Sequence, residues 1–237
     1  MRRLLVTAAA AAAFVAPVLG QTAPQAQPQA GQAPAGQTPA APQAQPQRPP
    51  QPPLGPYEWA IDANHSAANF SVKHNVVSTV RGTLGAITGK IEYDGKDVKS
   101  VKADVAIDMT KIDTQNERRD NHLRSPDFFD VANHPTLTFK SKRVEPGAAG
   151  KFKLVGDLTI RGNTKEVVLD VEGPSKIMTT TGPRGTRVLT GATATTKISR
   201  KEFGVLWNNL IEALPVVGDE VNITIDLELN RASMPGK

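Results

Sequence analysis

Between residues 101 and 109, Val101, Ala103, Val105, Ile107 and Met109 are apolar, while Lys102, Asp104 and Asp108 between them are charged. A strand turns successive side chains to opposite faces, so this spacing predicts a strand with one buried and one wet face. The same period recurs in Phe70, Val72 and His74; in Ile87, Gly89, Ile91 and Tyr93; in Leu137 and Phe139; and in Phe152, Leu154, Gly156, Leu158 and Ile160. It returns in Val167, Leu169 and Val171, and most regularly in Val221, Ile223, Ile225, Leu227 and Leu229. Turn-forming pairs fall between these runs at Asp94-Gly95, Pro146-Gly147, Arg161-Gly162-Asn163 and Gly218-Asp219, which predicts antiparallel neighbours. One stretch breaks the alternation. Thr114-Gln115-Asn116-Glu117 has the form of a helix capping box, and a short helix is predicted from there to Leu123. A second helical turn is expected at residues 75 to 79.

The predicted class is therefore all-β: an antiparallel set of about eight strands with one short helix. Strands with a single apolar face must bury those faces together, in a sandwich or a closed barrel, and closure removes exposed strand edges. An eight-stranded barrel has an interior that side chains just fill or that holds one small ligand. Gly89, Ala103, Gly156, Ala192 and Ala194 lie among the bulky inward residues. They leave room for a ligand, or they allow tight packing and strong coiling of the strands.

Composition divides the chain into three parts. Residues 1 to 20 begin with Arg2-Arg3, continue in an apolar run from residue 4 to 18 and end in Val18-Leu19-Gly20. This is the form of a secretory signal peptide, and the run is shorter than the roughly 20 residues of a membrane-spanning helix. Cleavage is expected near Gly20, leaving an exported, periplasmic protein with no stable transmembrane segment. Residues 21 to 56 contain 11 Pro, 10 Gln and 8 Ala among 36 positions. Such a segment has almost no apolar surface to collapse around, and reads as a disordered linker spanning at most about 110 Å at ~3.1 Å per residue. Residues 57 to 237 hold every acidic residue and every aromatic residue except Phe14, and form the expected folded domain.

Charge and cysteine content narrow the function. The net charge of +5 shrinks once Arg2, Arg3 and Arg48 are set aside, since the domain then carries 25 basic against 23 acidic residues. The signs alternate along the chain, unlike the one-sided basic face of a nucleic-acid binder, so no nucleic-acid partner is expected. With no cysteine there is no disulfide framework, thiol nucleophile or Cys-rich zinc site.

Several blocks resemble the YceI-like family of exported polyisoprenoid-binding proteins. They begin with Asp62, His65-Ser66, Phe70 and Val72-Lys73-His74. The central block runs His122-Leu123-Arg124-Ser125-Pro126-Asp127-Phe128-Phe129-Asp130-Val131, followed by Pro135, Thr138-Phe139 and Ser141. Gly156-Asp157-Leu158-Thr159-Ile160-Arg161-Gly162 with Thr164-Lys165, then Arg200, Phe203-Gly204, Trp207-Asn208 and Val217-Gly218-Asp219-Glu220-Val221, complete it. Ala213-Leu214-Pro215-Val216 departs from the family's usual Gly-rich segment, which concerns a loop and not the fold. The resemblance implies a lipocalin-like antiparallel barrel with a hydrophobic tunnel that takes the tail of an isoprenoid lipid or quinone as ligand, and it implies no enzyme activity and no separate cofactor.

The expected tunnel lining is then the inward phase of the strands, Phe70, Val72, Ile91, Val101, Ala103, Val105, Ile107, Leu137, Phe139, Leu158 and Ile160. Phe128, Phe129, Phe203 and Trp207 join it as aromatics at the barrel mouth. His122 lies among Arg118, Arg119 and Arg124 on the predicted helix, a basic cluster suited to a phosphate or quinone head group, and His74 is in phase with Phe70 and Val72. The ordinary alternatives are a solvated helix face and a hydrogen-bonded buried imidazole. The four histidines show no paired metal-ligand spacing, so no metal site is expected. Ser66 and Ser125 lack the context of a nucleophile elbow. The expected function is sequestration or carriage of an isoprenoid lipid. Its rivals are a histidine-based metal-dependent factor or enzyme, and a structural exported domain with a filled core.

Overall fold

A computed structural model describes residues 53 to 183, 185 to 208, 210 to 211 and 214 to 234. The expected signal peptide and the expected linker as far as residue 52 lie outside the described residues. The chain runs β1 (Glu58–Ile61), β2 (Ala67–His74), β3 (Ser78–Thr83), β4 (Ile87–Glu92), β5 (Lys102–Asp108) and α1 (Glu117–Arg124). It continues through β6 (Thr136–Pro146), β7 (Lys151–Ile160), β8 (Asn163–Glu172), β9 (Met178–Gly182) and β10 (Gly185–Ser199). The two-residue strands β11 (Leu210–Ile211) and β12 (Leu214–Pro215) precede the long β13 (Val217–Arg231).

The sheet closes on itself as an eight-stranded antiparallel barrel in the order β13, β1, β4, β5, β6, β7, β8, β10 and back to β13. The long strands β10 and β13 pair over twelve positions, from Val188↔Arg231 to Ser199↔Glu220. Shorter strands share their other edges. Along β13, β2 occupies the half near Val217 while β1 occupies Leu229 and Asn230. Along β10, β8 pairs at residues 193 to 195 and β9 at residues 185 to 189. β9 and the length of β10 were not expected from the alternation, because a wet, threonine-rich stretch carries no one-sided apolar signal.

Three local expectations are corrected. Residues 75 to 79 form no helical turn: Asn75 and Val76 adopt positive φ (49° and 63°) and make the tip of the β2–β3 hairpin. Gly218-Asp219 is no turn but lies inside β13, where the register with β2 shifts between Val217 and Val221. The helix is where expected, but its N-cap is Asn116, whose side chain accepts from the Arg119 amide. Thr114 serves elsewhere: its hydroxyl and amide both donate to the buried Asp120 carboxylate.

The question of the small inward residues has a divided answer. A Cβ on Gly156 would lie 2.6 Å from the Phe139 ring, and Gly89 combines φ +124° with a backbone too close to Asp104 for any side chain. Those two glycines serve tight packing and coiling. Ala103, Ala192 and Ala194, by contrast, border open interior space.

Candidate ligand-binding site

Alternation brings one face of every barrel strand to a common interior, which holds two abutting cavities. The larger, about 110 Å³, is lined from β4 to β8, β10 and β13 by residues such as Ile91, Phe152, Leu169 and Leu227. The smaller, about 70 Å³, lies under α1 between Leu123, Phe128, Phe129, Ile198 and Val221. Leu84, Leu137 and Ile223 border both and form the waist between them.

The expected lining residues divide between the two. Ile91, Val101, Ala103, Val105, Ile107, Phe139 and Leu158 border the larger cavity; Phe70, Val72, Phe128, Phe129, Ile160 and Phe203 border the smaller; Leu137 borders both. Trp207 borders neither. Its ring packs 5.1 Å from that of Phe128 and edge-on to His122 at 4.8 Å, outside the smaller cavity. Missed by the alternation argument were Leu84, which follows a strand, and Leu123, which lies on the helix.

The polar side chains at this lining turn their polar atoms elsewhere. The Thr196 hydroxyl donates to the Val168 carbonyl. Arg200 is buried beside the smaller cavity, but its guanidinium donates to the carbonyls of Val205, Trp207, Val217 and Gly218 and to the Asp219 carboxylate. Burial pulls this guanidinium below its usual value, and Asp219 works against that shift. One side chain thus ties the segment after β10 to the start of β13. The interior is left apolar, suited to desolvating a hydrocarbon and offering it no hydrogen bond.

The basic cluster is mostly engaged in structure. Arg119 donates to the Thr114 hydroxyl and carbonyl, and Arg124 to the Ile112 carbonyl and Asn121. His122 Nε2 lies 2.9 Å from Asp127 Oδ2. Arg118 is exposed, and among the described residues it makes no ion pair. His74 sits half-buried at the end of β2, paired with Ser78 and Val217, and itself borders neither cavity.

A second polar group had no clear sequence signal, because its members come from distant strands. His65 Nδ1 lies 3.2 Å from Asp62 Oδ1 and 3.7 Å from Glu228 Oε1. These three could offer ligand atoms to a cation, but Arg187 already places its own charge 3.6 Å from the other Asp62 oxygen. Burial works to raise the Asp62 carboxyl, yet the Asn64 amide, His65 and Arg187 together hold it below the usual carboxylate value.

The profile of the YceI-like domain matches residues 59 to 229, nearly the whole barrel. The chain belongs to the YceI family. A UPF0312 protein of Staphylococcus epidermidis is 39% identical over 154 residues, covering 64% of this chain and 84% of that one. The Campylobacter jejuni YCEI protein has the same barrel, with a TM-score of 0.56, 32% identity, and coverage of 68% of this chain and 90% of its own. A Saccharophagus degradans domain described as polyisoprenoid binding shares the fold at a TM-score of 0.51 and 16% identity, covering 72% of this chain and 97% of that one.

Proposed function

We propose that this YceI protein is an exported carrier that holds the tail of an isoprenoid lipid or quinone inside its barrel and performs no chemistry on it. The observation that carries the reading is the apolar interior, two cavities that share a waist of aliphatic side chains, with the Thr196 hydroxyl and the Arg200 guanidinium bonded elsewhere. An elongated tail fits such a shape better than a compact ligand does. Each methylene withdrawn from water contributes about 0.8 kcal/mol. The cavities are smaller than the roughly 300–1,000 Å³ of sites for drug-sized ligands. Uptake therefore requires Leu84, Leu137 and Ile223 to move apart.

The polar head stays at the α1 end, where Arg118 is exposed and makes no ion pair among the described residues, while Arg119 and Arg124 are held by their backbone partners. Export follows from the leader of residues 1 to 20, and the linker then serves as a spacer before the barrel. The description of the Saccharophagus domain as polyisoprenoid binding supports the ligand class.

The test is native mass spectrometry of protein purified from its own compartment, followed by organic extraction, on the parent and on Ala103→Phe. Ala103 borders the larger cavity, so a ring there occupies the tail's volume. Lost lipid with a small change in melting midpoint is the expected result. A packed interior would instead lose about 1–3 kcal/mol of stability to overfilling. The control is Asp104→Asn, exposed on the same strand, which alters neither readout. Absence of any lipid-range mass in the parent would overturn the carrier reading.

A further inference from the structure

The tip of the β2–β3 hairpin breaks two rules of surface design at once. Val76 sits at φ +63°, a region that β-branched residues seldom occupy and where Asn or Gly is the unstrained choice. It is also 56% exposed, and its neighbour Val77 is 85% exposed. Nothing in the fold of the hairpin calls for an apolar residue here, so folding alone does not account for the pair. Strain retained on an exposed site points to contact with something outside the domain.

Three observations say what that contact is. First, the tip stands at the α1 end beside the smaller cavity: Val72 and Val217, which border the cavity, pair close to the hairpin's end, and the Asn75 amide donates to the Val216 carbonyl. Second, the rim continues in Leu206, 64% exposed, within a segment (residues 204 to 217) whose sole charged residue is Glu212. Third, Lys73 and Arg81 are exposed on the hairpin and make no ion pair among the described residues, while the carboxylates beside it on β13, Asp219 and Glu220, are taken up by Lys201 and Lys197.

We propose that this tip, with Leu206, is a docking surface for an anionic lipid bilayer, through which the barrel collects or delivers its ligand. The proposal rests on the carrier reading for its purpose but on separate residues for its contacts. Apolar side chains at such an edge enter the boundary between head groups and acyl chains, and the adjacent Lys and Arg meet the anionic head groups. An isoprenoid tail then passes between bilayer and barrel without crossing water. A protein partner would not need the apolar tip to stand beside the mouth of an apolar cavity.

The experiment uses the full exported chain, flotation with vesicles containing phosphatidylglycerol or phosphatidylcholine alone, and a fluorescent polyprenol supplied from vesicles or from detergent micelles. Binding to the anionic vesicles, weakened by salt, is expected for the parent. The variant Val76→Asn/Val77→Ser removes the apolar tip and relieves the strain, so its melting midpoint should hold or rise. It should bind vesicles at least tenfold more weakly and take up polyprenol from them at least tenfold more slowly, with uptake from micelles unchanged. Lys73→Gln/Arg81→Gln should lose the preference for anionic vesicles. A parent that ignores vesicles, a tip variant that binds them as the parent does, or a parent dimer that the tip variant dissolves would each overturn the proposal. Vesicle binding that depends on the tip, with no polyprenol taken up from either source, would leave the docking surface standing and sink the carrier reading.

Discussion

At the α1 end of the barrel, arginines hold loops in place by donating to backbone carbonyls, while at the other end a tryptophan occupies the space itself. Arg200 gathers four carbonyls between Val205 and Gly218, Arg161 ties the Phe128 and Gly204 carbonyls together, and Arg119 and Arg124 fix the residues before the helix. Opposite, Trp59 is fully buried, donates from Nε1 to the Tyr93 carbonyl at 2.9 Å, stacks near the Tyr93 ring and lies under the Arg231 guanidinium at 5.6 Å. The difference is one of reversibility. Hydrogen bonds exchanged for water as a loop lifts cost about 1 kcal/mol net apiece, whereas withdrawing an indole exposes its whole apolar surface. The α1 end carries polar fasteners over its buried Phe128 and Phe203, as a lid does, and the tryptophan end is an apolar floor.

The contrast can be broken in four places. The largest effect is expected at the floor: Trp59→Ala should cost about 3–5 kcal/mol, read by denaturant unfolding. A loss below about 1 kcal/mol would mean the floor bears no more than the lid. Next comes Arg200→Leu, expected to cost about 2–3 kcal/mol because the carbonyls it leaves can partly reach water. Its signature is local, with amide exchange rising across residues 204 to 217 before the strands respond. Exchange that rises evenly around the barrel would place Arg200 in the floor's class. Asn116→Ala, which removes the helix N-cap, should cost about 1 kcal/mol and free α1 without moving the exchange of β4 or β5.

The smallest effect belongs to the wall between the ends. Asp62 titrates below the usual carboxylate value in the folded barrel. Its contribution to stability is therefore complete above the unfolded carboxyl pKa of about 3.9 and is lost as pH falls through the lower folded value. Asp62→Asn should flatten the acid limb of the stability profile below about pH 4 and leave the neutral midpoint almost unchanged. An unaltered acid limb would show that His65 and Arg187 do not act on this carboxylate.

Much of the barrel was legible because a strand's side-chain period is local and strict. The run from Val101 to Ile107 and the run from Val221 to Leu229 could be read as one-faced without knowing any partner, and both border the larger cavity in part. Turns were legible where two residues carry the geometry, as at Arg161-Gly162, which takes positive φ at both positions between paired Ile160 and Asn163. Gly218-Asp219 misled because the same residue types serve a strand irregularity. The capping box misled by two positions: Thr114, Asn116 and Asp120 are all capable partners, and only packing decided that Thr114 would face the buried Asp120.

Alternation, turn chemistry and composition by themselves determined the all-β class, the approximate strand number, the short helix α1 and which face of most strands is buried. Each depends on residues close together in the chain. Tertiary structure alone decided which small residues border space and which accommodate a neighbour, since Ala103 and Gly156 differ only in what stands across from them. It also decided that the helix arginines are fasteners, that Trp207 packs outside the cavities, and that Asp62, His65, Arg187 and Glu228 meet at all. The last of these depends on β13 meeting both β1 and β10, which brings Asp62 and His65 to residues more than a hundred positions away, and no local pattern carries that information.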